Sequence, residues 1–201
     1  MDGYIAITGG IGSGKSYVCR LIEKRGISIY DCDAAAKRLM RTSASLRRQL
    51  QELIPGSIPP TSSAGALDKA VIAQFLLASE ANARALNDIV HPAVALDFVQ
   101  SGQQWLESAI LFQSGFHHRV SFSHVIAVTA PAELRLQRVM ARDGISRDKA
   151  LEWMARQWPQ EETLKLADYE IVNDGLQPLL PQIDAILSSL SHKSPATPST
   201  P

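Results

Sequence analysis

The chain has 201 residues, of which 45% are hydrophobic, enough to bury one substantial core, so we expect one domain or one domain with a small insertion. Twenty basic residues balance twenty acidic ones, which argues against nucleic acid or an anionic membrane as a partner. The two cysteines match neither a metal-binding pair nor a disulfide framework, and the N-terminus lacks the features of a signal peptide, so we expect a cytoplasmic protein.

The first elements along the chain form a βαβ pattern. Tyr4–Thr8 is a short apolar run followed at once by glycines, which predicts a buried strand that ends in a tight loop. Apolar residues then recur at helical spacing from Ser16 until Gly26, which predicts a helix and its end. Residues 27–30 predict a second strand. Such a unit implies a parallel sheet covered by helices.

The middle of the chain favours helices. Helical patterns cover residues 33–53, 68–77, 79–90 and 93–103, and residues 54–65 form a loop rich in proline, serine and glycine. Pro92 predicts a boundary or a kink near His91. This part of the sequence therefore predicts a helical excursion from the sheet.

The alternation of strands and helices resumes near residue 105. Strands are predicted at 105–112, 124–129 and 169–172, and helices at 134–142, 147–157 and 176–190. The first two of these helices flank Asp143-Gly144, which predicts a helical hairpin. Residues 191–201 are mostly serine, threonine and proline, which predicts a disordered tail because they bury little apolar surface.

A phosphate-binding motif lies between the first strand and the first helix. Residues 9–16 match G-x-x-x-x-G-K-[ST], in which backbone N–H groups and the helix N-terminus hold phosphate oxygens. The lysine of this motif reaches the β and γ phosphates, and the serine hydroxyl binds magnesium, so we predict Mg²⁺ as the cofactor and Ser16 as its ligand. The predicted ATP-binding residues are Gly10, Ile11, Gly12, Ser13, Gly14, Lys15 and Ser16. The motif alone does not separate a kinase from a hydrolase or a switch.

Two carboxylates follow the second strand. Asp31 and Asp33 lie at the carboxyl end of that strand, which is the edge where open α/β sheets bind ligands. A carboxylate there could accept the proton of an attacking hydroxyl or hold magnesium through water. The alternative is that Asp33 caps the helix that follows it.

Arginines recur at helical spacing in the predicted hairpin. Arg135, Arg138 and Arg142 share one helix face, and such a row could clamp a transferring phosphoryl group. The alternative is a solvated helix face that pairs with nearby carboxylates. Of these arginines, Arg142 is the preferred functional candidate because it adjoins the Asp143-Gly144 turn.

Several motifs in chain order resemble one kinase family. They are Thr8-Gly9-Gly10-Ile11-Gly12-Ser13-Gly14-Lys15-Ser16, Asp31-x-Asp33, Leu86-Asn87-x-x-x-His91-Pro92, Leu111-Phe112, Arg138-x-x-x-Arg142, Gln157, Ala167-Asp168 and Asn173-x-Gly175. From about residue 3 to 190 the chain resembles the dephospho-coenzyme A kinases. The joined loop and Asp-x-Asp motifs are more specific to that family than the loop alone.

This resemblance implies a three-layer α/β/α P-loop fold with a parallel sheet of about five strands. It implies a nucleotide core at 1–32, 105–134 and 167–190, a helical substrate domain at about 33–104 and a helical lid at about 135–166. Asp33 would be the catalytic base, with Lys15, Arg138 and Arg142 in catalysis and the two arginines in the lid. Asn173 would contact the adenine of ATP, whereas Asp31, Asp33 and His91 would bind the acceptor. For His91 the alternative is a packed helix end.

The sequence departs from the family pattern at three positions. Gln113 stands where the family usually has glutamate, so a hydrogen-bonding role survives there and a charge-dependent role does not. Trp153 and Lys69 stand at positions where arginine is common. These changes touch neither the phosphate loop nor Asp33.

The functional hypothesis is transfer of the ATP γ-phosphoryl group to the ribose 3′-hydroxyl of dephospho-coenzyme A, the last step of coenzyme A biosynthesis. Its partners would be these two small molecules, and the protein would be a monomer or a weak homo-oligomer. Two alternatives remain open: another small-molecule or nucleotide kinase, and a nucleotide-binding module with impaired catalysis.

Overall fold

The computed structural model describes residues 3–59 and 67–192. The predicted 54–65 loop and 191–201 tail extend onto residues outside these ranges, although Ser191 belongs to the last helix. The elements along the chain are β1 Tyr4–Thr8, α1 Lys15–Glu23, β2 Ile29–Asp31, α2 Cys32–Thr42, α3 Ala44–Leu53, α4 Lys69–Ala78, α5 Glu80–Ser101, β3 Trp105–Glu107, a short 3-10 helix Phe116–His118, β4 Phe122–Thr129, α6 Ala132–Asp143, α7 Arg147–Ala155, α8 Gln160–Leu166, β5 Tyr169–Val172 and α9 Leu179–His192.

The strands form a five-stranded sheet with the order β2-β3-β1-β4-β5. The central strand β1 runs parallel to β3 on one side and to β4 on the other, with Ile7 opposite Glu107 and Ile126. β5 completes this side of the sheet in parallel with β4. The predicted α/β class, with a parallel sheet of five strands and flanking helices, is confirmed.

The main core lies where helices cover this sheet. Ile5 and Ile7 on β1 are buried with Val18 and Ile22 on α1 and Ile183 on α9. β1 is apolar along its length because a parallel strand is covered by helices on both faces. This packing fixes the carboxyl end of β1, from which the glycine-rich loop departs.

The chain divides into two compact units. Among the described residues, the first unit comprises 3–29, 104–113 and 121–192, and the second comprises 30–59, 67–103 and 114–120. In the second unit, α5 packs against α2, α3 and α4. The Asp97 carboxylate on α5 accepts hydrogen bonds from the Tyr30 hydroxyl and from Arg38, each at 2.6 Å. The assignment of these units as core, substrate domain and lid remains a prediction.

The structure adds one helix boundary in the second unit and removes one predicted boundary. The helical pattern over 33–53 is divided at Ser43, whose hydroxyl caps α3 by accepting from the Leu46 N–H at 3.3 Å. Conversely, α5 is one helix of 22 residues that contains Pro92. Proline removes only one backbone donor, and buried apolar side chains on both sides of it, such as Val90 and Val94, hold the helix in place.

The first unit also differs from the prediction, at the end of β3 and in an additional helix, α8. β3 ends at Glu107 instead of continuing to residue 112, because its partner β1 ends at Thr8. α8 was not predicted, since its seven residues include none that is buried and so give no apolar periodicity. Within the described ranges, no helix has the length and apolar character needed to cross a membrane.

Candidate active site

The phosphate loop connects β1 to α1 and is closely packed by its neighbours. Gly12 and Gly14 have φ angles of 79° and 86°, a region that glycine adopts without strain. A Cβ on Gly12 would overlap the backbone carbonyl of Arg135, and a Cβ on Gly14 would overlap the side-chain amide of Asn173. Both glycines are therefore required for backbone conformation and for space.

Side chains from two other segments bind the carbonyl groups of the loop. Arg135 Nε donates to Ile11 O at 3.0 Å, and Asn173 Nδ2 donates to Ser13 O at 2.8 Å. Arg138 donates to Gly12 O and Ser13 O at 3.3 and 3.4 Å. Because the C=O and N–H of one peptide point in opposite directions, these contacts direct the N–H groups of Gly12 and Gly14 away from the donors. The loop is thus held in shape from one side.

The Lys15 and Ser16 side chains meet a carboxylate at the end of β3. Glu107 Oε1 accepts hydrogen bonds from Lys15 Nζ and, at 3.0 Å, from Ser16 Oγ. The side chains of Lys15 and Glu107 are 10% and 12% exposed. Burial by itself raises the pKa of Glu107, but the charge of Lys15 and the hydrogen bonds from its neighbours outweigh burial and lower that pKa below its ordinary value. Glu107 is therefore a buried carboxylate that stays ionised.

Sequence analysis missed Glu107, although a signal for it exists. It ends the apolar run Trp105-Leu106 at the carboxyl edge of the sheet, and that same rule selected Asp31 and Asp33. The predicted strand at 105–112 placed Glu107 within a strand and concealed this position.

Burial and the nearby Glu107 also raise the pKa of the Cys19 thiol well above its ordinary value.

The oxygen atoms of two side chains beside the loop are suitable ligands for a magnesium ion. The Ser16 hydroxyl and the Glu107 carboxylate supply oxygen, which Mg²⁺ prefers. No group of three or more His, Cys, Asp or Glu side chains that could hold a metal occurs in the described ranges. Magnesium does not need such a group at a nucleotide site, because phosphate oxygens and water complete its shell. The predicted metal ligand Ser16 is thus next to a second oxygen donor.

The predicted row of arginines separates into two environments. Arg135 is buried against the loop and Arg138 is partly buried there. Arg142 instead lies on the surface with Asp143, with 2.7 Å between Nη2 and Oδ2. Roles for Arg138 and Arg142 on a transferring phosphoryl group remain predictions, and the surface ion pair proposed as the alternative is present at Arg142.

Trp153 and Asn173 both contribute to packing near the loop. Trp153, which stands where the family commonly has arginine, packs with Ile11 against the cluster of Leu136, Val139 and Ala150. The side chain of Asn173 is engaged with the Ser13 carbonyl and with Arg138 Nη2, 3.4 Å from its Oδ1. The predicted adenine contact of Asn173 remains a prediction.

The second unit contains the predicted acceptor residues. Asp31 caps α2, since its side chain accepts from the Ala34 N–H at 2.9 Å, so the capping alternative suggested for Asp33 belongs to Asp31. Asp33 is exposed in the first turn of α2. His91 is half-buried on α5, where its ring makes a T-shaped contact with Phe116 at 5.6 Å between centroids, and burial lowers its pKa. Binding of an acceptor by these residues remains a prediction.

Comparison with known proteins gives one family over nearly the whole chain. The family model described as dephospho-CoA kinase matches residues 3–178. A dephospho-CoA kinase of Bacteroides fragilis is 36% identical over 200 residues, covering 94% of this chain and 93% of the relative. That of Deinococcus radiodurans is 35% identical over 196 residues, covering 92% and 91%.

Solved structures share the fold of this chain. A Thermus thermophilus protein superposes with a TM-score of 0.76 at 31% identity, covering 96% of this chain and 98% of that one. Dephospho-CoA kinase from Campylobacter jejuni gives a TM-score of 0.61 at 19% identity over 94% and 96%, which supports the fold. The family model and the relatives establish that the chain belongs to the dephospho-CoA kinase family.

Proposed function

We propose that this protein transfers the γ-phosphoryl group of ATP to the ribose 3′-hydroxyl of dephospho-coenzyme A, the last step of coenzyme A biosynthesis. The observation that carries the proposal is the phosphate loop in the setting described above. Three loop carbonyls are bound by side chains of Arg135, Arg138 and Asn173, and Lys15 emerges from the same loop. A phosphate loop held in this way is preorganised to bind a polyphosphate. Phosphoryl-transfer enzymes obtain most of their rate enhancement from such positioning and electrostatic stabilisation.

The residues of the loop have distinct parts in this reaction. The N–H groups at the start of α1 hold phosphate oxygens, and Lys15 offsets the charge on the β and γ phosphates. A bound Mg²⁺ would neutralise phosphate charge, with Ser16 and Glu107 as its protein donors, Glu107 directly or through water. Lys15 pairs with Glu107, so a triphosphate would compete with that carboxylate for the ammonium group.

We assign Asp33 as the base that accepts the proton of the attacking 3′-hydroxyl. The 3′-hydroxyl oxygen attacks the γ phosphorus, its proton passes to the Asp33 carboxylate, and the bond to the β,γ-bridging oxygen breaks to release ADP. Asp33 suits this role because it is exposed, while the neighbouring Asp31 carries the helix cap. The family resemblance of the Asp-x-Asp motif also supports this assignment.

The test is to incubate the protein with ATP, magnesium and dephospho-coenzyme A and to measure coenzyme A by mass. We expect one coenzyme A for each ADP formed. Coenzyme A as the acceptor is the matched control, because its 3′-position is already phosphorylated and it should give no product. Shikimate and nucleoside monophosphates test for another small-molecule kinase. Nucleotide binding without coenzyme A formation would refute the proposal and favour a catalytically impaired binding module.

A further inference from the structure

The side-chain amide of Gln113 brackets a short backbone segment between α7 and α8. Its Nε2 donates to Arg156 O at 2.7 Å, and its Oε1 accepts from the Trp158 N–H at 3.0 Å. The two contacts lie on either side of Gln157 in the chain. One neutral side chain therefore fixes the backbone that carries Gln157.

The Gln157 side chain in turn reaches the phosphate loop. Its Oε1 accepts from the Ile11 N–H at 2.6 Å, and Gly10 is so close that a Cβ there would lie 3.1 Å from the same oxygen. Arg135 binds the carbonyl of the same residue, Ile11, at 3.0 Å. Ile11 is therefore held at both its N–H and its C=O, and Gln157 supplies one of these two contacts.

A carboxylate could not take the place of the Gln113 amide without gaining a proton. An ionised carboxylate only accepts hydrogen bonds, so it would lose the bond to Arg156 O and would place negative charge against that carbonyl oxygen. A protonated carboxyl has one O–H donor and one carbonyl acceptor, which match the two contacts of the amide. The two hydrogen bonds of Gln113, to Arg156 O and from the Trp158 N–H, can therefore both form with an amide but not with an ionised carboxylate of the same size.

We propose that Gln113 is a positioning residue for the nucleotide: its amide holds residues 156–158 so that Gln157 caps the Ile11 N–H and fixes the first half of the phosphate loop. Gln113 and Gln157 line one pocket together with Gly10 and Thr8, which places the bracket beside the loop. The position where the family usually has glutamate is therefore used here through a neutral donor. The proposal rests on the loop being the ATP site.

The experiment compares the wild-type chain with Gln113→Glu across pH. Near pH 8 we expect the variant to bind ATP about fivefold more weakly, the effect of losing about one hydrogen bond. Hydrogen exchange of residues 9–16 without nucleotide should be faster in the variant than in the wild type at that pH. As the pH is lowered to about 4, close to the ordinary glutamate pKa of about 4.3, protonation increasingly restores the donor, so the ratio of the two affinities and the ratio of exchange rates should both move toward one.

Two further variants complete the test. Gln113→Ala removes both contacts and should show a loss of affinity at every pH. Gln51→Glu makes the same charge change at an exposed glutamine that accepts from the Ile58 N–H at 3.1 Å, and it should leave ATP affinity unchanged. Equal wild-type and Gln113→Glu behaviour near pH 8, or a defect of Gln113→Glu that is the same at both pH values, would overturn the proposal.

The exchange measurement separates this inference from the proposed function. If the wild-type chain binds ATP but makes no coenzyme A, the proposed function fails and the affinity ratios still test Gln113. If ATP does not bind, Gln113 has no role in positioning ATP. In that case a pH-dependent difference in hydrogen exchange of residues 9–16 would still show that the hydrogen bonds of Gln113 affect the loop.

Discussion

The residues around the phosphate loop in the first unit and the Asp33 carboxylate in the second unit are held in opposite ways. In the first unit, Lys15, Glu107 and Asn173 are each largely buried and hydrogen-bonded to a neighbour. In the second, the Asp33 carboxylate is exposed in the first turn of α2. Preorganisation is useful where polyphosphate charge must be held, whereas a proton acceptor needs a free carboxylate. We expect substitutions of the side chains that hold the phosphate loop to affect nucleotide binding and those at Asp33 to affect turnover.

Removal of the Lys15 charge should have the largest effect. Lys15→Met should lower kcat/KM for ATP by about a thousandfold or more, because the main cation for the γ phosphate is lost. It also leaves Glu107 buried without its cation, which is strongly destabilising. Lys15→Met,Glu107→Gln is the matched control, since it should recover stability without recovering activity. Recovery of both in thermal unfolding and turnover assays would show that Lys15 is only structural.

Asp33 should give the next largest effect, limited to turnover. Asp33→Asn should lower kcat by about a hundredfold to a thousandfold and leave the Kd for ATP unchanged, because the proton acceptor is lost. Asp31→Asn is the matched control: asparagine caps helices as well as aspartate, so α2 should survive and kcat should stay near that of the wild type, while loss of the predicted contact of Asp31 with the acceptor would raise only the KM for the acceptor. Equal effects of the two substitutions on steady-state kinetics would remove Asp33 as the base.

Substitutions of Arg138 and Arg142 on α6 should affect different properties. Arg138→Ala removes bonds to Gly12 O and Ser13 O, so we expect weaker ATP binding and a loss of about 1–3 kcal/mol in unfolding free energy. Arg142→Ala breaks a surface ion pair and should leave stability unchanged. If Arg142 acts on the transferring phosphoryl group, its loss should lower kcat about tenfold with the Kd for ATP retained. An unchanged kcat would mean that Arg142 forms only the surface ion pair with Asp143 and does not act on the phosphoryl group.

How much of the site could be predicted depended on whether the signal was local. The phosphate loop was predicted because its residues are consecutive and each has a fixed chemical role. The contact between Asn173 and the Ser13 carbonyl joins positions 160 apart, and no short-range pattern encodes it. Glu107 was missed because its role depends on where β3 ends, which β1 determines through pairing.

Local patterns also failed to separate alternatives that tertiary contacts decide. Asp31 and Asp33 both precede a helical run, and only the backbone at the end of β2 determines that Asp31 is the cap. Pro92 predicts an interruption, but packing on both sides carries α5 through it. Within α6, helical spacing placed three arginines on one face and the adjoining turn favoured Arg142, whereas the phosphate loop contacts Arg135 and Arg138.

The smallest predicted effect concerns the pH dependence of stability through His91. Burial lowers its pKa from the ordinary value of 6.5, with Arg119 acting in the same direction and Asp88 opposing both. The unfolded chain therefore binds a proton below about pH 6.5 that the folded chain does not, so stability falls as pH decreases from there toward the folded pKa. The slope contributed by this one group is at most about 1.4 kcal/mol per pH unit.

Urea unfolding of the wild type and of His91→Gln between about pH 7.5 and pH 5.5 measures this slope. The variant should lose less stability than the wild type over the interval, because the titrating group has been removed. His118→Gln is the matched control, since it makes the same substitution at an exposed histidine of the same unit. Identical curves for all three proteins would mean that the burial of His91 does not resist protonation, and the packed environment proposed for it on α5 would then be wrong.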